Sequence, residues 1–148
     1  MATTPILTQA LFTSPFNYST DFTELADNCE RFAEVLVECD DPQQKMALCG
    51  RLSACLALLQ PTLLEPVPQV LKDRLTVENI PTHVPSFEPE SDQLCRYCQV
   101  LTQLLMSNML APASESVLRD LLYMLVALFA DILKAPRWLK QGNTVIEL

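Results

Sequence analysis

Between residues 22 and 37 apolar side chains return at every third or fourth position, and after a short Asp40-Asp41-Pro42 break a second such run begins at once. Wound at about 100° per residue, Phe22, Leu25, Ala26, Cys29, Phe32, Ala33, Leu36 and Val37 fill one arc of roughly 140°. Glu24, Asp27, Glu30, Glu34 and Glu38 fill an opposite arc of about 120°. This is an amphipathic helix, expected over residues 20–39, with Ser19 or Thr20 as its cap. Asp21 and Glu24 put negative charge at its positive end. In the break, Asp41 suits the cap of a second helix over 42–59 and Pro42 its first position. So short a loop makes the two helices antiparallel neighbours.

The same periodicity continues. Leu48, Cys49, Leu52, Cys55, Leu56 and Leu59 share one face of the second helix, which Gln60-Pro61 is expected to end. A short third helix is expected over 66–76, with Val67, Val70, Leu71 and Leu75 inward and Pro66 and Pro68 tolerated only in its first turn. Residues 79–90 carry Pro81, Pro85 and Pro89 without periodicity, which predicts a stiff crossover loop and not a domain boundary. Neither half has enough apolar surface to stand alone comfortably. A fourth helix is expected over 91–110, with Leu94, Cys98, Leu101, Leu104, Leu105 and Met109 as its stripe. Pro112 interrupts, and Ser114 is the expected cap of a fifth helix over 114–134.

That fifth helix is apolar over roughly 200° of its circumference. It must be covered on two sides, as the central helix of the bundle or as a dimer seam. Pro136 stops it. No strand pattern of useful length follows, only an extended Thr144-Val145-Ile146. The predicted fold is all-α, a compact bundle of four principal helices plus one short helix, forming one domain over residues 1–148. It carries an irregular N-terminal arm, 1–18, and the proline-rich crossover loop. The arm's Leu7, Leu11, Phe12, Phe16 and Tyr18 are too apolar for a solvated tail. Phe12, Phe16 and Tyr18, together with Trp138 and Leu139 of the tail, either complete the core or bury the outer half of the fifth helix in a two-fold dimer.

Several classes of chemistry fit poorly. The chain has 18 acidic groups against 10 Lys and Arg, and a net charge of −8. Nucleic-acid binders draw affinity from clustered Lys and Arg, so direct nucleic-acid binding is not expected. With two glycines and one histidine there is no material for a phosphate loop, a nucleophile elbow or a His-based triad. Cys95 and Cys98 form a Cys-x-x-Cys, but no strand precedes it and no second pair completes a zinc site. Packing is the simpler role for these thiols: Cys29, Cys49, Cys55 and Cys98 fall on apolar faces, with Cys39 and Cys95 at the margins. Neither a cofactor nor a metal is called for. The first ten residues have no basic n-region, and the most apolar stretch, 121–130, is half the length of a bilayer span. With six cysteines and no export signal, a reducing, cytoplasmic setting is expected.

The unusual feature is where the charge sits. Residues 1–41 hold eight acidic groups against Arg31, a net of −7, while the other 107 residues hold ten acidic and nine basic groups, a net of −1. Like charges at i, i+4 (Glu30–Glu34, Glu34–Glu38) cost a few tenths of a kcal/mol each, so local helix stability does not favour them. Glu24, Asp27, Glu30, Glu34, Glu38, Asp40 and Asp41 therefore form either a solubilising face or a ridge that steers a basic protein partner. The expected function is non-enzymatic: an adaptor, inhibitor or regulator that binds a protein, such as a basic DNA-binding or secretion protein, and assembles as a homodimer. Two alternatives are a metal-dependent or enzymatic protein built on Cys95, Cys98 and His83, and a membrane-surface protein using the fifth helix. The latter is weakened by the acidic charge.

Overall fold

The computed structural model describes residues 11–148; the first ten residues of the expected arm, Leu7 among them, lie outside the described residues. The described residues are mostly helical, with one small two-stranded sheet. The described residues divide into two compact units at Asn79/Ile80, where the proline-rich loop begins.

In the first unit, α1 is Phe22–Glu38. It starts later than the periodicity suggests because Asp21, not Ser19 or Thr20, is the cap. Asp21 Oδ1 accepts from the Thr23 N–H at 2.8 Å and from the Glu24 N–H at 3.0 Å. Thr20 closes a turn of the arm instead, its hydroxyl accepting from the Asn17 N–H at 3.0 Å. Helix α2, Pro42–Thr62, opens as expected, with Pro42 in its first turn and Asp41 accepting from the Gln44 N–H at 3.1 Å. Its end lies beyond the expected residue 59. Pro61 is accommodated in the final turn, and the Thr62 hydroxyl donates to the Leu59 carbonyl at 2.6 Å. Helix α3 is only Gln69–Arg74, because Pro66 and Pro68 precede it instead of occupying its first turn.

The α1–α2 hairpin closes on Leu25, Phe32, Leu48 and Cys55, all at most 1% exposed. Leu11, Phe12 and Phe16 of the arm pack over this core. Phe16 meets Phe32 edge to face, ring centroids 6.1 Å apart at 64°. The Arg51 guanidinium lies 4.3 Å from the Phe16 ring and 5.5 Å from the Phe32 ring, and donates to the Ser14 carbonyl. One cation thus fastens the arm to both helices by stacking and by a hydrogen bond. Cys49 departs from expectation: it is exposed, since the inward line of α2 runs through Leu48, Leu52, Cys55 and Leu59, and Cys49 lies about 100° round from Leu48.

Gly50 stands in mid-helix with nothing within 4 Å of where a Cβ would be. Gly50→Ala should therefore stabilise the protein by about 0.5–1 kcal/mol. A higher urea midpoint at unchanged slope is the expected reading. A lower midpoint would mean that the position needs its glycine.

In the second unit, α4 is Ser91–Met106 and α5 is Pro112–Lys134. The first ends four residues before expectation because Asn108 adopts φ +54°, a left-handed exit that its short amide tolerates. The second begins at Pro112 itself, not at a Ser114 cap; proline suits the first helical position, where its missing N–H is not needed. Leu94 and Cys98 of α4 are buried, with Leu101 and Leu105 half-buried on the same line. The opposing stripe of α5 is Leu118, Leu122, Leu125 and Phe129, all half-buried. No residue of α5 is fully buried, despite its broad apolar arc.

The chain then forms a β-hairpin that was not expected. Strands β1, Trp138–Gln141, and β2, Thr144–Glu147, pair antiparallel, with Leu139 opposite Ile146. Gly142 at φ +60° makes the two-residue turn with Asn143, as a type II′ hairpin requires. Gly-Asn between two short runs was the available signal.

Candidate functional site

The acidic ridge is built by ordinary helix geometry. Once α1 is set by its cap and by Leu25 and Phe32 inside, the 3.6-residue repeat turns Glu24, Asp27, Glu30, Glu34 and Glu38 away from the core. All five are exposed, as are Asp40 and Asp41 in the turn that follows. From Glu24 to Glu38 the row is about 21 Å long at 1.5 Å per residue. Among the described residues, none of these seven carboxylates has a Lys or Arg within ion-pair distance: the ion pairs present are Arg74–Asp21, Arg96–Asp92 and Arg119–Glu115. Arg31 lies on the same side of α1 and is also exposed. Asp41 has a second task, capping α2.

Two clefts border the ridge. One, of about 420 Å³, runs between the arm and α1 and includes Thr20, Glu24, Asp27, Asn28, Arg31 and Arg74. The other, of about 550 Å³, lies along Glu34, Val35, Val37 and Glu38. Val37 is 87% exposed, so an apolar spot lies beside the carboxylates at the C-terminal half of the ridge.

The cap of α1 also sets a pH dependence. The Thr23 hydroxyl, then the Glu24 and Thr23 backbone N–H groups, with Arg74 at 3.8 Å, hold Asp21 below the usual carboxylate range. Its charged form is favoured by folding. That contribution is therefore complete above the ordinary carboxylate value, near 3.9, and is lost as pH falls through the lower folded one. Asp21→Ala should cost about 1 kcal/mol at neutral pH. Urea unfolding of both proteins at pH 7 and at pH 2.5 should show the difference shrinking with acid; a constant difference would contradict the cap's role.

The apolar site residues divide. Phe12 and Phe16 are packed on the core of the first unit, while Tyr18 is 91% exposed. Trp138 and Leu139 are adjacent on β1 and therefore face opposite sides of the hairpin, both exposed. Cys95 is half-buried and Cys98 buried on α4, whereas His83 is exposed in the proline-rich loop. Among the described residues, no three His, Cys, Asp or Glu side chains are grouped to hold a metal. Cys55 donates to the Leu25 carbonyl at 3.2 Å, and burial, with Cys29 beside it, pushes its thiol up to about 11. At neutral pH it is a protonated core group. No helix among the described residues is long and apolar enough to cross a membrane.

Arg51 was missed by sequence reasoning. Its signal was isolation: it is the one charged residue between Lys45 and Glu65, in an otherwise uncharged run. A cation kept there has work to do inside the fold.

Comparison with protein-family models, with curated proteins and with solved structures finds no match to this chain.

Proposed function

We propose that this chain is a small, acidic helical-bundle protein of the cytoplasm that works without catalysis, by binding another protein through the α1 ridge. It acts as an adaptor, inhibitor or regulator, and its partner presents a Lys- and Arg-rich face of the kind found on DNA-binding or secretion proteins. The observation that carries this reading is the row of seven exposed carboxylates from Glu24 to Asp41 without an ion pair among the described residues. A helix gains nothing locally from repulsion at i, i+4, and a solubilising face does not require the charges to be segregated onto one helix and the turn after it. Concentrated negative potential raises the rate at which a basic surface is met and sets its orientation. Val37, between Glu34 and Glu38, adds a small apolar contact that can persist once the partner has docked.

Affinity capture from the native host at low salt, followed by a salt wash, is the direct experiment. A basic protein retained at low salt and released by salt is the expected result. A bound protein that survives the wash unchanged would place the interaction elsewhere.

A further inference from the structure

The second unit is short of core. Only Leu94 and Cys98 are buried in it, and α5 buries nothing completely. That is too little apolar burial to hold some seventy residues, two-stranded hairpin included. The unit's exposed large apolar residues fall on both sides of the α4–α5 hairpin: Met106, Tyr123, Val126 and Leu133 on one side, and two stripes on the other. Val100 and Leu104 on α4, and Val117, Leu121, Met124 and Ile132 on α5, are large apolar residues left exposed; Val117 and Met124 are 66% and 67% exposed. On each helix this stripe lies about 100° from the inward line, in the same rotational sense about the helix's own direction. The five-residue connection makes α4 and α5 antiparallel, which reverses that sense for one of them. Both stripes therefore come out on the same side of the hairpin. The paired charges Glu115 and Arg119 lie on the other side.

We infer that this side seats a second copy of the chain, making a two-fold four-helix bundle through a surface distinct from the acidic ridge. Size and charge both favour a second copy. Helices rising 1.5 Å per residue and set 8–10 Å apart give a face of about 550 Å², hence roughly 1,100 Å² for a pair, just above the lower limit of a specific interface. No charged residue lies between the two stripes, so a face meeting itself buries none. At the outer edges, Arg96, which also pairs with Asp92 of its own helix, flanks the α4 stripe, and Asp120 and Asp131 flank the α5 stripe. A two-fold axis parallel to the helices lays each α4 on the partner's α5 and brings Arg96 alongside Asp120 of the partner subunit at a similar height. Packing α4 on α4 would set like charges together, so the first arrangement is favoured.

Sedimentation equilibrium of the full chain tests this. Wild-type protein should have twice the 16.6 kDa chain mass at micromolar concentration. Met124→Glu should sediment as one chain with unchanged helical circular dichroism. A charge swap guards against a variant that merely unfolds: Arg96→Glu should weaken the dimer roughly five- to tenfold, and adding Asp120→Arg should restore it. A wild-type monomer at 100 μM would overturn the proposal, whether the face is then covered within the chain or floats with phosphatidylcholine/phosphatidylglycerol vesicles. So would a dimer indifferent to Met124→Glu, or a swap that fails to restore association.

Discussion

Phe32→Ala should lower the stability of the first unit by about 3–5 kcal/mol. The ring is 0% exposed and stands where three elements meet. It packs among Leu25, Leu48 and Cys55, receives the edge of Phe16 at 6.1 Å, and lies 5.5 Å beneath the Arg51 guanidinium. Its removal leaves a cavity that a helical hairpin cannot collapse around, and takes away the aromatic partner that seats the arm. Against the 5–15 kcal/mol typical of a whole domain, such a loss leaves little. Phe32→Leu keeps most of the volume and should cost far less, near 1–1.5 kcal/mol. Urea unfolding followed by circular dichroism separates the two. A loss below about 1 kcal/mol for the alanine variant would mean that the arm and hairpin are not joined through this ring.

Exchanging Glu30, Glu34 and Glu38 for lysine together should act on association and barely on folding. The three exchanges raise the net charge by six, from −8 to −2. All three side chains are exposed, and none has an ion-pair partner among the described residues. The i, i+4 pairs among them stay like-charged, so their repulsion is unchanged, while a cation at the last turn of α1 suits the helix dipole, which has no basic residue there now. Stability should stay within about 0.5 kcal/mol of wild type. Association with a basic partner should slow by about 10- to 100-fold at low ionic strength. The difference should narrow as salt shortens the screening length from ~10 Å at 0.1 M to ~3 Å at 1 M. Stopped-flow association at several salt concentrations reads both effects. Equal rates for the two proteins would leave the ridge a solubility device.

How much of this was legible depended on how local the cause was. Helix α1 and its carboxylate row could be read because one face is apolar and the other charged, but Val37, Ala26 and Ala33, counted on the apolar face, are exposed. The Asp41-Pro42 start of α2 could be read because a cap and a first-turn proline act within four residues. Pro112 was misread as an interruption when it opens α5, since a proline both ends and begins helices and only the chain's path decides which. Asn108 ends α4 through a backbone conformation that other residues share too rarely for periodicity to reveal. The Gly142-Asn143 turn was legible in principle, but its flanking strands have only four residues each, too short for alternation to stand out. Cys49 was misplaced because α2 is apolar or small nearly all round, so its stripe does not mark the inward side. Arg51, Phe16 and Ser14 meet across 35 or more residues of chain, a long-range contact that no local pattern encodes. The site residues divided along the same line. The ridge is a property of one helix, whereas Phe12 and Phe16 could be placed in the core only by knowing where the arm lies.

We propose that this protein works through its charged outside. The most direct measurement is a side-by-side capture from the native host at low salt, with wild-type protein and the Glu30, Glu34, Glu38 charge-reversed variant as baits of equal stability. Wild type should retain a basic protein, which salt releases, and the variant should retain none of it. Retention of the same protein by both baits, at every salt concentration, would contradict it.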